Sequence, residues 1–161
     1  TSKNPPVPVV LLCPEQDDYW QRWHEYVDRA LLDRGLISAE DNGLYTTATT
    51  AQQAMAQISH FYRVFHASRF RGDHLQLLLH CQLPAQELQR INERFGDLLL
   101  GGTIISRRCQ DETGITNDCL ELWFDQTKVG RLYALIQYLN DLPLSPEAVI
   151  DPPGRRLGQA A

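Results

Sequence analysis

TAQQAMAQISHFYRVFHASRFRGDHLQLLLHCQL, residues 50–83, joins two parts of the sequence that have different patterns. Its first half carries apolar residues at the i, i+3, i+4 and i+7 positions of one buried helical stripe, and Thr50 with Gln53 forms a capping box where that helix begins. Gly72 and Asp73 then break the helical pattern. From His74 onward the run is apolar and of strand length, so the stretch predicts a helix that hands over to a strand of the next packed unit.

The connection between that helix and strand, residues 66–73, is called the seam below, and it is basic. Arg63, Arg69 and Arg71 are interleaved with histidines, of which His66 lies at the centre. Arginine presents a planar fork of donors that suits phosphate or carboxylate, so these four side chains are candidate ligand-binding residues. The alternative, which the pattern favours, is that they cap the end of the helix and solvate the joint.

Composition limits the classes of function that the chain can have. Its 161 residues include 43% hydrophobic and 9% aromatic residues, which is typical of a packed soluble protein. The net charge of -5 argues against a general nucleic-acid surface, so any basic site must be local. The sequence contains no apolar run long enough to cross a bilayer and no signal-peptide pattern, and we therefore expect a cytoplasmic protein without nucleic-acid or membrane partners.

The cysteines and histidines predict no metal site. The four cysteines, Cys13, Cys81, Cys109 and Cys119, are scattered without a CxxC pair, and we expect reduced thiols. A bridge between Cys109 and Cys119, which flank a loop, is the alternative. The histidines lack metal-ligand spacing, and the sequence contains no GxSxG, P-loop, HExxH or GxGxxG motif, so it predicts no metal, no cofactor and no catalytic residue.

The first third of the chain predicts the last part of a larger α/β domain. The apolar run VPVVLL, residues 7–12, is typical of a strand buried on both faces of a parallel sheet. An amphipathic helix over Asp17–Arg34 follows, and Gly35 is placed to close it. A brief strand over residues 43–47 then leads into the helix described first, and this alternation implies parallel pairing. Two strands alone would leave the sheet with open edges.

Three residues at the carboxyl end of that first strand are further candidates for ligand binding. Glu15 belongs to an acidic loop at the end of the strand where α/β proteins bind ligands. Tyr19 and Trp20 open the following helix at the same edge. Acids at a helix start are also good caps, and aromatic residues at helical spacing usually pack, so both alternatives stay open.

The second half predicts a small α+β unit over residues 67–141. Its pattern is a strand at 74–83, a helix at 84–100, strands at 103–108 and 119–125, and a helix at 128–140. This βαββα order is similar to a ferredoxin-like sandwich that lacks its final strand, and another chain could fill the missing edge. Residues 142–161 are rich in proline and glycine, which predicts a flexible tail.

Several stretches together resemble the Lonely Guy family, once labelled lysine-decarboxylase-like. They are PVVLL, the pair Tyr19 and Trp20, the segment Gly35–Ser38, and FYRxFHxSRxxGD from Phe61 to Asp73, which is the most specific. The resemblance covers residues 7 to about 140, and with the βαββα unit it is similar to the longer bacterial members. It implies that residues 1–66 end a Rossmann-like domain. It also implies a phosphoribohydrolase that cleaves the N-glycosidic bond of a purine nucleoside 5′-monophosphate, giving base and ribose 5-phosphate.

One departure from the family governs what is carried over. The PGGxGTxxE motif, which holds phosphate and supplies the catalytic glutamate, is absent together with its paired arginine, and the resemblance places both before Thr1. We therefore expect the C-terminal portion of such an enzyme, inactive alone, contributing architecture, regulation or contacts in a homo-oligomer. The alternative is a non-enzymatic small-anion or nucleotide-binding or dimerisation module. With only Lys3 and Lys128 present, the sequence offers no evident host for a pyridoxal Schiff base.

Overall fold

The computed structural model describes residues 4–14, 16–111 and 113–144, which form a mixed α/β structure with two sheets. The strands are β1 (Val10–Leu12), β2 (Thr46–Ala48), β3 (Phe65–Arg71), β4 (His74–Leu79), β5 (Ile105–Gln110) and β6 (Thr116–Leu122). The α-helices are α1 (Tyr19–Val27), α2 (Ala51–Phe61), α3 (Ala85–Phe95) and α4 (Val129–Asp141). A π-helical turn at Asp28–Leu32 and 3₁₀ turns at Ala39–Leu44 and Gly96–Leu98 complete the described elements.

Strands β1 and β2 form a two-stranded parallel sheet, which confirms the predicted parallel pairing. The prediction that the first strand is buried on both faces is wrong for the described residues. Val7, Val9 and Leu12 are 48%, 45% and 51% exposed. A strand buried on both faces needs strand neighbours on both edges and covering layers on both sides, and the described chain supplies β1 with a single neighbouring strand.

The helix predicted over residues 17–34 is shorter and ends irregularly. Helix α1 passes directly into the π-helical turn, and Gly35 then adopts a φ of 66°. The amide of Gly35 donates to the carbonyl of Leu32, and the amide of Leu36 donates to the carbonyl of Leu31. Glycine adopts this left-handed conformation without the steric cost of a Cβ, so Gly35 closes the helix as predicted.

The prediction that the seam is a connection between a helix and a strand is wrong, because most of the seam is itself a strand. Strand β3 pairs antiparallel with β4, and the two residues between them, Gly72 and Asp73, make the hairpin turn. Gly72 has a φ of 62°, the positive value that tight hairpin turns require. A glycine and an aspartate between two strands are a hairpin signal, and the basic residues of the first strand obscured it.

The second sheet has four antiparallel strands in the order β3-β4-β6-β5. The edge beside β4, which the sequence left for another chain, is filled by β3 of the same chain. The predicted elements of this half are all present with altered bounds: the strand predicted at 74–83 ends at Leu79, and the helix predicted at 84–100 ends at Phe95.

Helices α3 and α4 cover one face of the four-stranded sheet. The core between them includes Leu75, Leu77 and Leu79 of β4, Leu120 and Leu122 of β6, Ile91 and Phe95 of α3, and Leu135, Ile136 and Leu139 of α4. The predicted alternation over residues 119–125 is confirmed, since Leu120, Leu122 and Phe124 are buried on this side. Residues that alternate with these core positions point to the opposite face.

The corner between α2 and β3 is held by the end of α4. The fully buried side chain of Asn140 accepts hydrogen bonds at Oδ1 from the amides of Val64 (2.8 Å) and Phe65 (3.1 Å). Its Nδ2 donates to the carbonyl of Phe61. One amide therefore satisfies three backbone groups that neither α2 nor β3 can pair, since they lie where the helix ends and the strand begins.

Helix α4 also joins the two halves of the chain at its other end. A Cβ added to Gly130 would lie 2.5 Å from Oδ1 of Asp41 and 2.8 Å from its amide nitrogen. The backbone of α4 therefore lies so close to the 3₁₀ turn at Ala39–Leu44 that only a glycine fits at position 130. One turn along, the hydroxyl of Tyr133 hydrogen-bonds both the amide and the carbonyl of Val7.

No helix in residues 4–14, 16–111 and 113–144 has the length and apolar character needed to span a membrane. The tail predicted over residues 142–161 lies outside the described residues from position 145 onward. Leu142 at its start is buried against the core, because the chain leaves α4 along that core.

We expect Asn140→Ala to lower the free energy of unfolding by roughly 2–4 kcal/mol, because it leaves buried backbone donors without an acceptor. Urea denaturation followed by circular dichroism measures the change. The control is Gln137→Ala on the same helix, where the side chain is exposed and the change should stay within about 0.5 kcal/mol. Equal stability of the two variants would show that the amide does not hold the corner.

Candidate functional site

The face of the four-stranded sheet that lies opposite α3 and α4, called the open face below, carries a row of polar residues. Arg69 of β3 stands opposite Gln76 of β4, and Gln76 stands opposite Glu121 of β6. Arg107 of β5 lies two residue pairs further along on the same face, opposite Cys119. Side chains on one face of neighbouring strands lie close enough to interact, so these four residues meet although they come from four separate strands.

Two hydrogen bonds and one ion pair link the four side chains across the whole sheet. Nε of Arg69 donates to Oε1 of Gln76 at 2.9 Å, and Nε2 of Gln76 donates to Oε2 of Glu121 at 2.6 Å. Nη2 of Arg107 lies 2.9 Å from Oε1 of Glu121. This cross-strand network places one arginine from each edge strand on either side of a central amide and carboxylate.

The centre of the network is buried although no described helix covers this face. Gln76 is fully buried, and the Glu121 side chain is only 12% exposed, whereas the Arg107 side chain is 48% exposed. The long side chains of the edge strands therefore fold over the middle strands. A buried glutamine is costly unless it is hydrogen-bonded, and Gln76 is bonded at both its oxygen and its nitrogen.

A small apolar cluster on the same face supports the network from one side. It consists of Leu78, Cys109 and Cys119, with Ala67 packed against them. Burial, and then the hydrogen bond with Cys109, raises the pKa of the Cys119 thiol well above its ordinary value. A thiol that stays protonated is a poor nucleophile, so Cys119 is suited to packing and not to nucleophilic chemistry.

No disulfide joins the four cysteines, all of which lie in the described part of the chain. The alternative bridge between Cys109 and Cys119 is absent because the two residues are diagonal neighbours: Cys109 stands opposite Asn117, and Cys119 stands opposite Arg107. The Cα atoms of diagonal neighbours in a sheet are about 7–8 Å apart, which exceeds the usual Cα–Cα distance across a disulfide.

A cavity of about 590 Å³ opens above the network. Arg69, Arg71 and Gln76 line it from the β3 side, and Arg107 and Arg108 line it from β5. The side chain of Arg71 makes no ion pair or hydrogen bond with another described residue, while Nε of Arg108 lies 4.0 Å from Asp118. We call this arginine-lined space the arginine cavity.

Asp111 also lines the arginine cavity, but its own loop occupies its carboxylate. Oδ1 accepts from the amide and hydroxyl of Thr113 (2.9 and 2.7 Å) and from the amide of Ile115 (2.9 Å), and Oδ2 accepts from Asn117 at 3.1 Å. The bond from Thr113 is the main cause that lowers the pKa of this carboxyl below its usual value. These donors disperse the negative charge of Asp111.

The residues predicted as ligand-binding do not form one site. Arg69 and Arg71 line the arginine cavity, whereas Arg63 donates from Nε to the carbonyl of Asn140 (2.6 Å) and from Nη2 to that of Leu142. Arg63 therefore satisfies backbone groups at the end of α4, and it does not line the arginine cavity. His66 lies in a different pocket, of about 250 Å³, with its ring 4.7 Å from that of His80.

The N-terminal candidates lie at a third place. Glu15 is outside the described residues. Trp20 lines a cleft of about 840 Å³ at the carboxyl end of β1 and β2, and its Nε1 donates to the carbonyl of Leu12 at 3.2 Å. Tyr19 is exposed and packs edge-on against Trp20. Asp17 accepts from the amide of Tyr19, the first residue of α1, at 2.9 Å, whereas the N-cap residue Asp18 makes no side-chain cap hydrogen bond.

The sequence interpretation missed Gln76, Arg107 and Glu121. The signal for them was the strand alternation itself, since each occupies a position that faces away from the helices. It could not be used without the strand order, because Arg107 and Gln76 become neighbours of the same carboxylate only when β6 lies between β4 and β5.

No family model, curated protein or solved structure matched the chain when it was compared with known proteins. The resemblance to the Lonely Guy family therefore stays a prediction from the sequence motifs.

We expect Gln76→Leu to lower the free energy of unfolding by about 1–3 kcal/mol, since it removes two hydrogen bonds and leaves the partly buried Glu121 carboxylate with one partner. Gln110→Leu, on the exposed side of β5, is the matched control. Chemical denaturation of both variants measures the difference. A Gln76→Leu variant as stable as the control would mean that the network does not stabilise the open face.

Proposed function

We propose that this chain is the C-terminal portion of a nucleoside 5′-monophosphate phosphoribohydrolase of the Lonely Guy type. The whole enzyme would add water across the N-glycosidic bond of a purine nucleotide and release the base and ribose 5-phosphate. In this proposal the described residues do not perform the chemistry. They supply the last strands of a Rossmann-like sheet and an attached ferredoxin-like unit.

The observation that carries the proposal is the small parallel sheet. Two parallel strands are too few for a stable sheet, and parallel sheets occur almost only with both faces covered. Around β1 and α1, large apolar side chains are exposed: Val7, Val9, Leu12, Tyr19, Trp23 and Tyr26. Further parallel strands and a covering helix, as in a Rossmann-like domain, would bury this surface.

The most specific motif supports an architectural role for this portion. In FYRxFHxSRxxGD, Phe61 and Phe65 pack in the core, Arg63 holds the end of α4, and Gly72 makes the hairpin turn. These residues build the connection from α2 into the four-stranded sheet. A motif of this kind positions one unit on another.

The topology of the second sheet supports the ferredoxin-like part of the proposal. Strand β6 lies between β4 and β5, which is the arrangement of a split βαβ unit. Strand β3 occupies the edge beside β4, where the final strand of a ferredoxin-like sandwich would lie. Here that edge strand precedes the unit in sequence.

The alternative is a non-enzymatic module that binds a small anion or a nucleotide. The arginine cavity favours it, because that cavity needs nothing outside the described residues to exist. The two functions are compatible within one longer protein, and enzyme assays separate them.

We expect the 161-residue chain to release no base from AMP, and a longer product of the same gene, carrying the residues encoded before Thr1, to release adenine and ribose 5-phosphate. Chromatography of the products measures both. AMP and GMP, compared with CMP and UMP, test the purine preference. The control is the longer form with the glutamate of its expected glycine-rich motif changed to glutamine. Base release by the 161-residue chain, or none by the longer form, would overturn the proposal.

A further inference from the structure

We propose that the arginine cavity is a binding site for a compact polyphosphate group, either free pyrophosphate or the phosphate chain of a nucleotide. The site lies on the open face of the four-stranded sheet. It stands independently of the phosphoribohydrolase proposal, because every residue that forms it belongs to the described chain.

The first support is the convergence of cationic side chains from opposite edges of the sheet. Arg69 and Arg71 come from β3 and Arg107 comes from β5, and all three line the cavity from the open face. Arg108 also borders the cavity, but it alternates with Arg107 along β5 and stands opposite Asp118, so its side chain lies toward the other face of the sheet. Arginine binds phosphate oxygens through two parallel N–H donors. Guanidinium groups on both sides of a cavity suit a ligand with more than one anionic group, because each side can hold a separate phosphate.

The second support is that the two central arginines are held in place before any ligand binds. Arg69 is fixed through Nε by Gln76, and Arg107 through Nη2 by Glu121. A guanidinium has five N–H donors, so each retains donors that no described residue uses. A side chain already ordered loses less conformational entropy on binding, which favours affinity.

The third support is the balance of charge at the cavity. Both oxygens of Glu121 are occupied, one by Gln76 and the other by Arg107. The carboxylate of Asp111 is surrounded by donors of its own loop. Arg71 has no carboxylate partner among the described residues, and so the rim keeps positive charge that an anion can neutralise. In a chain of net charge -5, this is a local reversal of sign.

The lining also indicates which part of a ligand is recognised. Within the described chain no tyrosine or tryptophan lines the cavity, and the ring of Phe70 packs on the helix-covered side with the main core. The site therefore offers no aromatic surface on which a nucleobase could stack. Recognition must rely on charged hydrogen bonds to phosphate. A volume of about 590 Å³ exceeds the needs of a single phosphate.

Isothermal titration calorimetry of the 161-residue chain with pyrophosphate tests the proposal. We expect saturable binding with one site per chain that weakens between about 0.1 M and about 1 M salt, since the contacts are ionic. Inorganic phosphate should bind more weakly, and adenosine should not bind. ADP that binds like pyrophosphate would identify the phosphate chain as the recognised group. ADP binding more than about tenfold tighter would identify a nucleotide as the source of that chain.

The variants Arg71→Gln and Arg107→Gln test the location of the site. Each should weaken pyrophosphate binding by about tenfold or more, because each removes a charged donor pair. The Arg71 side chain makes no hydrogen bond or ion pair with another described residue, so Arg71→Gln keeps the test valid even if Arg107→Gln is unstable. The matched control is Arg90→Gln on α3, an exposed arginine paired with Glu87 on the far side of the sheet.

Three results would overturn the proposal. The first is no saturable pyrophosphate binding at the lower salt concentration. The second is equal loss of affinity in Arg90→Gln and Arg71→Gln, which would indicate general attraction to surface arginines. The third is binding of adenosine as tight as that of ADP, which would place recognition on the base. Base release from AMP by a longer form of the protein is measured separately, so failure of either proposal leaves the other distinguishable.

Discussion

The structure depends on a single buried amide, because Asn140 lies where α2, β3 and α4 meet. A helix that turns straight into a strand leaves backbone donors and an acceptor without partners, and water cannot reach them in the core. Asn140 satisfies the amides of Val64 and Phe65 and the carbonyl of Phe61. Arg63 then satisfies the carbonyls at the end of α4, including that of Asn140 itself. Asn140 therefore satisfies the backbone at the α2–β3 corner, and Arg63 at that corner satisfies the backbone at the end of α4.

With the corner in place, the four-stranded sheet has two unlike faces. Helices α3 and α4 bury the leucines of β4 and β6, which accounts for most of the core. The opposite face has no such cover in the described chain, and yet Gln76 and Cys119 are fully buried there. The arginines of the edge strands provide the cover. Arg69 hydrogen-bonds the central amide, Arg107 pairs with the central carboxylate, and both arginines line the cavity.

The sequence predicted those parts of the fold that depend on local pattern. The N-cap at Thr50, the closing glycine at Gly35 and the alternation of Leu120 and Leu122 each depend on spacing within a few residues, and each is present. The reciprocal bond of the predicted capping box is not present, because the Gln53 side chain accepts from the amide of Thr49. Strand β3 was missed because Arg69 and Arg71 made its exposed positions resemble a solvated loop. The burial of β1 was overestimated, since apolar content alone does not supply neighbouring strands. The cross-strand network was beyond the sequence, because its members come from four strands and meet only through the order β3-β4-β6-β5.

The stretch Phe61–Asp73 explains why ligand-like and structural signals were difficult to separate. Arg63 and Arg69 are six positions apart and chemically identical, but one precedes β3 at the corner and the other lies within it. The Arg63 side chain extends to the end of α4, where it donates a hydrogen bond to a backbone carbonyl that the helix leaves unpaired. Arg69 lies on the open face. Its Nε donates to Gln76, and its other guanidinium nitrogens are available to the cavity that it lines. An arginine therefore has a structural role or is available for binding according to the acceptors that lie beside it. For Arg69 the strand register sets which acceptors those are.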